Sequence, residues 1–394
     1  MGCVLSCLNG STTMEESEER TLIALGSTTD RRARSESPIA IKRAKAFSFR
    51  ELAAATKNFR SRLLLGRGGF GSVYKGQLKN GQDVAVKVLE KISQQEDQEF
   101  VTGVEMLSLL YHPNLVTLIG YCCERDQRLI VYEYMPLGSL ENHLFDRPLG
   151  REPLDWNTRM KIASGVAKGL EYLEIWRDLP VMFGELRSSN ILLDEGYHPK
   201  LSYFGIPKFG NSSHVSTGLV GTYGYCAPEY AVTGNLTPEC KVYGLGVVLL
   251  ELISGRKAID KSRSPETCHL VKWAQPILKD ISEYHRLVDP LLHGSYPVEW
   301  LNQAIVIAAM CLHEKADRRP TIREVVSALT YIESQQKQCN RRGRHPCSFF
   351  YPSLVRKESG LEKERKKGEF ERGSTGYGAD SGKQVVGYIE MLEI

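Results

Sequence analysis

Gly66-Arg67-Gly68-Gly69-Phe70-Gly71-Ser72-Val73 spells a G-x-G-x-x-G-x-V loop set between strand-like runs. Leu63-Leu64-Leu65 leads into it and Ser72-Val73-Tyr74 leads out. After the turn Lys79-Asn80-Gly81 comes Val84-Ala85-Val86-Lys87-Val88. Asn-Gly between two such runs is a strong hairpin signal. A glycine-rich loop alone is weak evidence, because many turns need the positive φ that glycine permits. Its weight comes from the motifs downstream and their order: Lys87, then Asn190, Phe204-Gly205 and Ala227-Pro228-Glu229.

Around this stretch the chain reads as strands first and helices later. An alanine-rich helix is predicted over Glu51 to Phe59 and another over Glu96 to Leu110. Further strands are predicted at Leu115–Tyr121 and Arg128–Glu133. From Gly138 onward the pattern turns helical, most clearly over Trp156–Leu173, Val242–Leu252 and Trp300–Leu312. No internal repeat is visible.

The chain has 394 residues, 42% hydrophobic and 25% charged, which suits one domain of two lobes with tails. A formal charge of +4 is too small to point to nucleic acid, and none is expected as a partner. Ten cysteines stand without metal-ligand rhythm, and Cys122-Cys123 is adjacent rather than C-x-x-C. There is no secretory signal. The longest apolar stretch, Val242 to Ile253, is broken by Gly244, Gly246 and Glu251, so a reduced cytosolic setting is the default.

Both ends differ from the middle. Residues 1–46 are rich in Ser, Thr, Glu and Arg and poor in large apolar groups, and are read as a disordered leader. Met-Gly2-Cys3-Val4-Leu5-Ser6 fits myristoylation of Gly2, with Cys3 and Cys7 open to palmitate. One acyl chain binds a bilayer only marginally. Arg31, Arg32, Arg34, Lys42, Arg43 and Lys45 supply a basic supplement. Residues 337–394, basic and Gly-rich, are expected to be a disordered tail.

From Gly66 to Pro320 the motifs stand in protein-kinase order. More narrowly, the chain resembles the plant receptor-like cytoplasmic kinases that act beside immune receptors. That resemblance rests on Phe47-Ser48-Phe49-Arg50-Glu51-Leu52, His112-Pro113-Asn114-Leu115-Val116, Val131-Tyr132-Glu133-Tyr134-Met135, Ser188-Ser189-Asn190-Ile191-Leu192-Leu193-Asp194, Gly221-Thr222-Tyr223-Gly224-Tyr225-Cys226 and Arg318-Arg319-Pro320. It implies an α+β bilobal fold over residues 47–336. A small antiparallel-sheet N-lobe with one main helix would cover about 59–134, and a larger, mainly helical C-lobe about 135–336. It implies an ATP site built from Gly66, Gly68, Gly71, Val73, Ala85, Lys87 and the hinge residues Glu133 and Met135. Glu229 is expected to pair with Arg319, and Ser216 and Thr217 match activation-loop phosphosites. The same resemblance implies an anchor on the cytoplasmic face of the plasma membrane. Receptor kinases or related cytoplasmic kinases would be partners, and pathogen effectors would be possible attackers.

The chain also departs from the family at the reacting centre. Tyr203-Phe204-Gly205 stands where Asp-Phe-Gly is usual, and a neutral phenol is a poor ligand for magnesium. Gly103 falls at the position of the helix glutamate that pairs with Lys87, with Glu99 one turn earlier as the substitute. The catalytic loop reads Phe183-Gly184-Glu185-Leu186-Arg187, so Glu185 holds the base position with a longer side chain, ahead of Asn190. Lys241 replaces an aspartate that anchors this loop, and a Lys241–Glu185 salt bridge is one possible replacement. The expectation is therefore a pseudokinase acting as scaffold, decoy or competitor, with ATP weak or vestigial, magnesium in doubt and Asn190 the last residue of the metal pair. The alternatives are a weakly active serine/threonine kinase using Glu185 as base, or an unstable product of a degraded gene copy.

Overall fold

Ser48 opens the first helix, α1 (Phe49–Ala55), through a capping box. Glu51 N–H donates to Ser48 Oγ at 3.2 Å, and Ser48 N–H donates back to the Glu51 carboxylate at 2.8 Å. The helix stops short of the predicted Phe59 because Lys57, Asn58 and Phe59 all take left-handed backbone, with φ of 52°, 59° and 52°. That turn brings Phe59 back to stack on Phe49 at 5.7 Å and to meet Tyr74 edge-on at 5.5 Å. Aromatic packing holds a backbone that three non-glycine residues would not adopt alone.

The computed structural model describes residues 44–68, 71–89, 97–147, 150–175, 186–202, 224–234 and 237–342. Six strands form the first lobe: β1 (Lys45–Ala46), β2 (Leu64–Gly68), β3 (Gly71–Gln77), β4 (Asp83–Val88), β5 (Leu118–Glu124) and β6 (Gln127–Glu133), ordered β1-β5-β6-β4-β3-β2. All neighbours are antiparallel except β1 and β5. Lys45-Ala46, read from sequence as the end of the leader, instead form this parallel edge strand. Gly120 permits the approach, since a Cβ there would collide with Lys45 O and the Phe47 ring.

The sheet is covered on both faces. Phe47 and Leu52 from the N-terminal segment pack with Val84, Val86, Leu129 and Val131 on the outer face. Helix α2 (Asp97–Ser108) contributes Phe100, Val104 and Leu107 to the core that includes Ile130 on the other.

The second lobe is helical, as expected: α3 (Leu140–Leu144), α4 (Trp156–Ile175), α5 (Pro228–Thr233), α6 (Pro238–Ser254), α7 (Leu270–Leu278), α8 (Val298–Cys311) and α9 (Ile322–Arg342), with a small antiparallel pair β7 (Ile191–Leu193) and β8 (Pro199–Leu201). The long apolar stretch becomes α6, buried all round at the centre of this lobe. At Gly246 a Cβ would sit 2.8 Å from Cys311 Cβ and 2.9 Å from Leu312 Cγ, so glycine sets how closely α8 approaches. No described helix is long and apolar enough to cross a membrane. The disordered tail was expected from residue 337, but α9 runs on to Arg342. The arrangement is the bilobal α+β fold of a protein kinase.

One buried ion pair ties α4 to the loop beyond α6. Arg159 Nη2 lies 2.6 Å from Asp289 Oδ2, with exposures of 1% and 6%. The other guanidinium nitrogens donate to Leu154 O and Leu252 O, both at 2.8 Å. Removing one partner strands a buried charge. Asp289→Ala is expected to lower unfolding stability by about 3–5 kcal/mol, read as the shift of a urea midpoint. The paired Arg159→Met/Asp289→Leu variant is expected to lose less than the single variant.

Candidate active site

Strand register gathers the predicted nucleotide residues on one face of the sheet. Val73 pairs with Lys87, and Lys75 with Ala85. Across the next ladder Lys87 pairs with Ile130 and Ala85 with Tyr132. Directly opposed residues share a face, so Val73, Ala85, Lys87 and Tyr132 line one surface. Val84 and Val86 point to the outer core. Tyr132 is buried, and burial raises its phenol above the usual range, so it stays neutral. The sequence reading missed its place on this surface although it lies within the hinge motif.

The glycine loop divides by function. Gly71 has φ 121°, and a Cβ there would strike Val88 O, so this glycine is demanded by the β-ladder itself. At Gly66 and Gly68 an added Cβ would meet nothing within 4 Å, so the fold leaves their surface open. Gly69 and Phe70 lie outside the described residues.

Lys87 is half-buried, and desolvation lowers its ammonium below the ordinary lysine range. Gly103 is buried inside α2 and Glu105 on the same helix is exposed, so neither offers Lys87 a carboxylate. At the hinge Met135 is buried, while the Glu133 carboxylate is engaged elsewhere. Lys200 Nζ donates to it at 2.7 and 2.9 Å, and the Thr117 N–H at 2.7 Å. Glu133 therefore offers a ligand its main chain only.

The two-stranded β7–β8 pair joins the other candidate positions. Asn190 ends a 3-10 turn over Ser188–Asn190, and its carbonyl accepts both Ser202 N–H at 2.9 Å and Ser202 Oγ–H at 3.0 Å. That clamp places Asn190 beside the residue preceding Tyr203. Glu185, Tyr203, Ser216, Thr217, Gly2, Cys3 and Cys7 lie outside the described residues. So does the Glu185 half of the expected pair with Lys241. The described carboxylate that favours the Lys241 ammonium is Glu174 of α4, against a larger desolvation that lowers its pKa.

Below the turn runs a buried chain that sequence reasoning did not find. Ser188 Oγ and Tyr225 OH lie 3.0 Å apart, Tyr225 OH donates to Glu251 Oε1 at 2.7 Å, and Ala258 N–H reaches the same oxygen at 3.1 Å. Glu251 is fully buried and its carboxyl is pushed up to about 8, mainly by desolvation. An acid inside the apolar run Val242–Ile253 was the available signal. Nearby, Arg319 grips Glu229 with two bonds of 2.6 and 2.7 Å, as expected, and holds its carboxyl down at about 2.

A family model described as protein tyrosine and serine/threonine kinase matches residues 59–329. The chain belongs to this kinase family. Serine/threonine-protein kinase PBL27 of Arabidopsis thaliana is 57% identical over 326 residues, which cover 82% of this chain but 64% of that relative. Probable serine/threonine-protein kinase PBL7 of the same plant is 57% identical over 297 residues, covering 74% and 79%. Serine/threonine-protein kinase PBS1 is 56% identical over 309 residues, covering 76% and 68%. These relatives correct the expectation of a catalytically silent scaffold, decoy or competitor, because proteins sharing more than half of the aligned residues are named as serine/threonine kinases. Kinase membership implies ATP and magnesium use in general, and the reading of ATP as weak or vestigial gains no support.

Glu251 generates a pH prediction for this kinase. Its folded pKa of about 8 lies above the ordinary 4.5, so the native state holds a proton that the unfolded chain releases. Its contribution is complete below about pH 4.5 and is lost as pH rises through about 8. The melting temperature is expected to fall between pH 5 and 8.5, and Glu251→Gln to flatten that slope. Parallel slopes for the two proteins would show that Glu251 is ionised in the native state.

Proposed function

We propose that this chain is an ATP-dependent serine/threonine protein kinase of low turnover. The reaction moves the terminal phosphoryl group of ATP to a serine or threonine hydroxyl. The bond to the β-phosphate oxygen breaks, a bond to the hydroxyl oxygen forms, and Glu185 takes the hydroxyl proton. Lys87 supplies positive charge to the phosphates, Gly66 and Gly68 leave room above them, and the hinge main chain at Glu133–Met135 borders the adenine.

The observation that carries this reading is Lys87, retained opposite Val73 on the inner face of the sheet, in a chain whose relatives are named kinases. Low turnover follows from the chemistry of the reacting groups. Asn190 offers a neutral amide oxygen and Tyr203 a neutral phenol, a donor set that fits magnesium poorly. Glu185 is one methylene longer than the usual aspartate, and small displacements of a base cost large rate factors.

The setting is read from the chain's resemblance to receptor-like cytoplasmic kinases. Gly2 takes myristate and Cys3 or Cys7 palmitate, which holds the kinase at the cytoplasmic face of the plasma membrane beside receptor kinases. Ser216 and Thr217 are the phosphosites through which another kinase acts, and the surface that a pathogen enzyme would attack.

Phosphate transfer from labelled ATP to the chain and to a generic substrate protein tests the reading. Incorporation is expected on serine and threonine and is expected to fall at least about a hundredfold in Lys87→Met. Transfer unchanged in that variant, or none above background in the parent, defeats the proposal. Tyr203→Asp restores a carboxylate at the metal position and is expected to raise kcat by roughly a hundredfold while steepening its dependence on magnesium.

A further inference from the structure

We infer that the outer face of the N-terminal extension, residues 44–63, is a docking surface for an anionic lipid bilayer. In that span every exposed charged side chain is basic: Lys45, Arg50, Lys57, Arg60 and Arg62. The one acid, Glu51, is half-buried and committed to the Ser48 capping box. Arg50, Lys57, Arg60 and Arg62 form no ion pair among the described residues. Lys79, from the β3–β4 turn, stands close enough to Glu51 to act on it together with Lys45, and so extends the same basic area. Glu124 of β5 accepts the Phe49 N–H at 3.0 Å.

The orientation of this face is set from behind. Phe47 and Leu52 are buried against Val84, Val86, Leu129 and Val131, with Phe59 packed at the margin, so the basic residues cannot turn inward without exposing that core. Register puts Lys87 and Ala85 on the opposite face of the sheet, so a bilayer against the extension leaves the nucleotide face open. Leu64 and Leu65 come directly after it and are 37% and 48% exposed, offering apolar contact beside the charges. A basic surface with apolar neighbours suits the headgroup region of an anionic leaflet.

The choice of a bilayer rests on the acylated-leader reading, since Arg43 and Lys42 continue the basic run from Lys45 toward Gly2. The extension would be a second contact at the root of the leader, setting which side of the kinase faces the membrane. The test separates the two readings. Full-length chain carrying Gly2→Ala is titrated against vesicles of phosphatidylcholine, with and without phosphatidylserine. Binding is expected only with phosphatidylserine, weakening with salt, and falling about fivefold for each of Arg50→Gln, Lys57→Gln, Arg60→Gln and Arg62→Gln. Melting curves of these variants confirm that each is folded. An Arg31→Gln/Arg32→Gln/Arg34→Gln variant probes the leader alone. If the extension variants bind like their parent while the leader variant loses binding, the inference falls and the leader reading stands. If the wild-type chain takes no acyl chain in plant cells yet the extension variants lose vesicle binding, the leader reading falls and the inference stands. Equal binding to both vesicle types, or binding to an acidic protein in place of phosphatidylserine vesicles, overturns the inference.

Discussion

The burial of α6 is the constraint on which the rest of the molecule hangs. A helix apolar on most sides is stable only when surrounded, and several of the elements packed around it are also tied to it by polar bonds. Leu252 O accepts from Arg159, which fixes α4 and the Asp289 loop. Glu239 O accepts from Arg319 at 3.0 Å, and the same guanidinium grips Glu229 at the start of α5. Glu251 accepts from Tyr225, which meets Ser188 in the turn that carries Asn190. At Gly244 a Cβ would lie 3.5 Å from Leu186 Cβ and 3.8 Å from Tyr225 O, so the catalytic-loop end and the segment after the activation loop converge on one helix.

This packing reshapes the meaning of the substitutions around the reacting centre. Lys241 sits on α6 where burial opposes its charge, with Glu174 of α4 as the described carboxylate that favours it. The clamp between Asn190 and Ser202 uses the Ser202 N–H and hydroxyl on the Asn190 carbonyl, and so involves no side chain at 203. Lys200 and Glu133 join the two lobes by an ion pair. A frame held by main-chain bonds, apolar packing and these ion pairs can keep reacting groups in register after several of their side chains have changed. That is consistent with close relatives named as kinases.

Some of this was legible beforehand. The hairpin at Lys79-Asn80-Gly81 and the helices at Trp156, Val242 and Trp300 follow from local turn chemistry and period, so their positions were read to within a few residues. The pair Glu229–Arg319 followed from motif resemblance. Other features were opaque because they depend on partners distant in sequence. Nothing local marks Lys45-Ala46 as a strand, since a two-residue parallel edge exists only when β5 is there to accept it. The left-handed run at Lys57–Phe59 is opposed by local preference and is imposed by the Phe49 and Tyr74 rings. Catalytic silence was the largest misreading. It rested on the substitutions at Gly103, Glu185, Tyr203 and Lys241 taken together, and relatives named as serine/threonine kinases overturn it.

By itself the amino-acid order determined the class of fold, the lobe sequence and the glycine-rich loop with Lys87. These depend on interactions between near neighbours and on spacing, which a linear reading can see. Tertiary structure alone decided which face of the sheet carries Lys87 and Tyr132, that Glu133 is spent on Lys200, and that Ser188, Tyr225 and Glu251 form one buried chain. It also decided that the basic side chains of the N-terminal extension are exposed while Glu51 is held in a capping box. Each of these is a matter of which groups meet across the fold, where burial shifts a proton or aims a charge, and no local spacing encodes that.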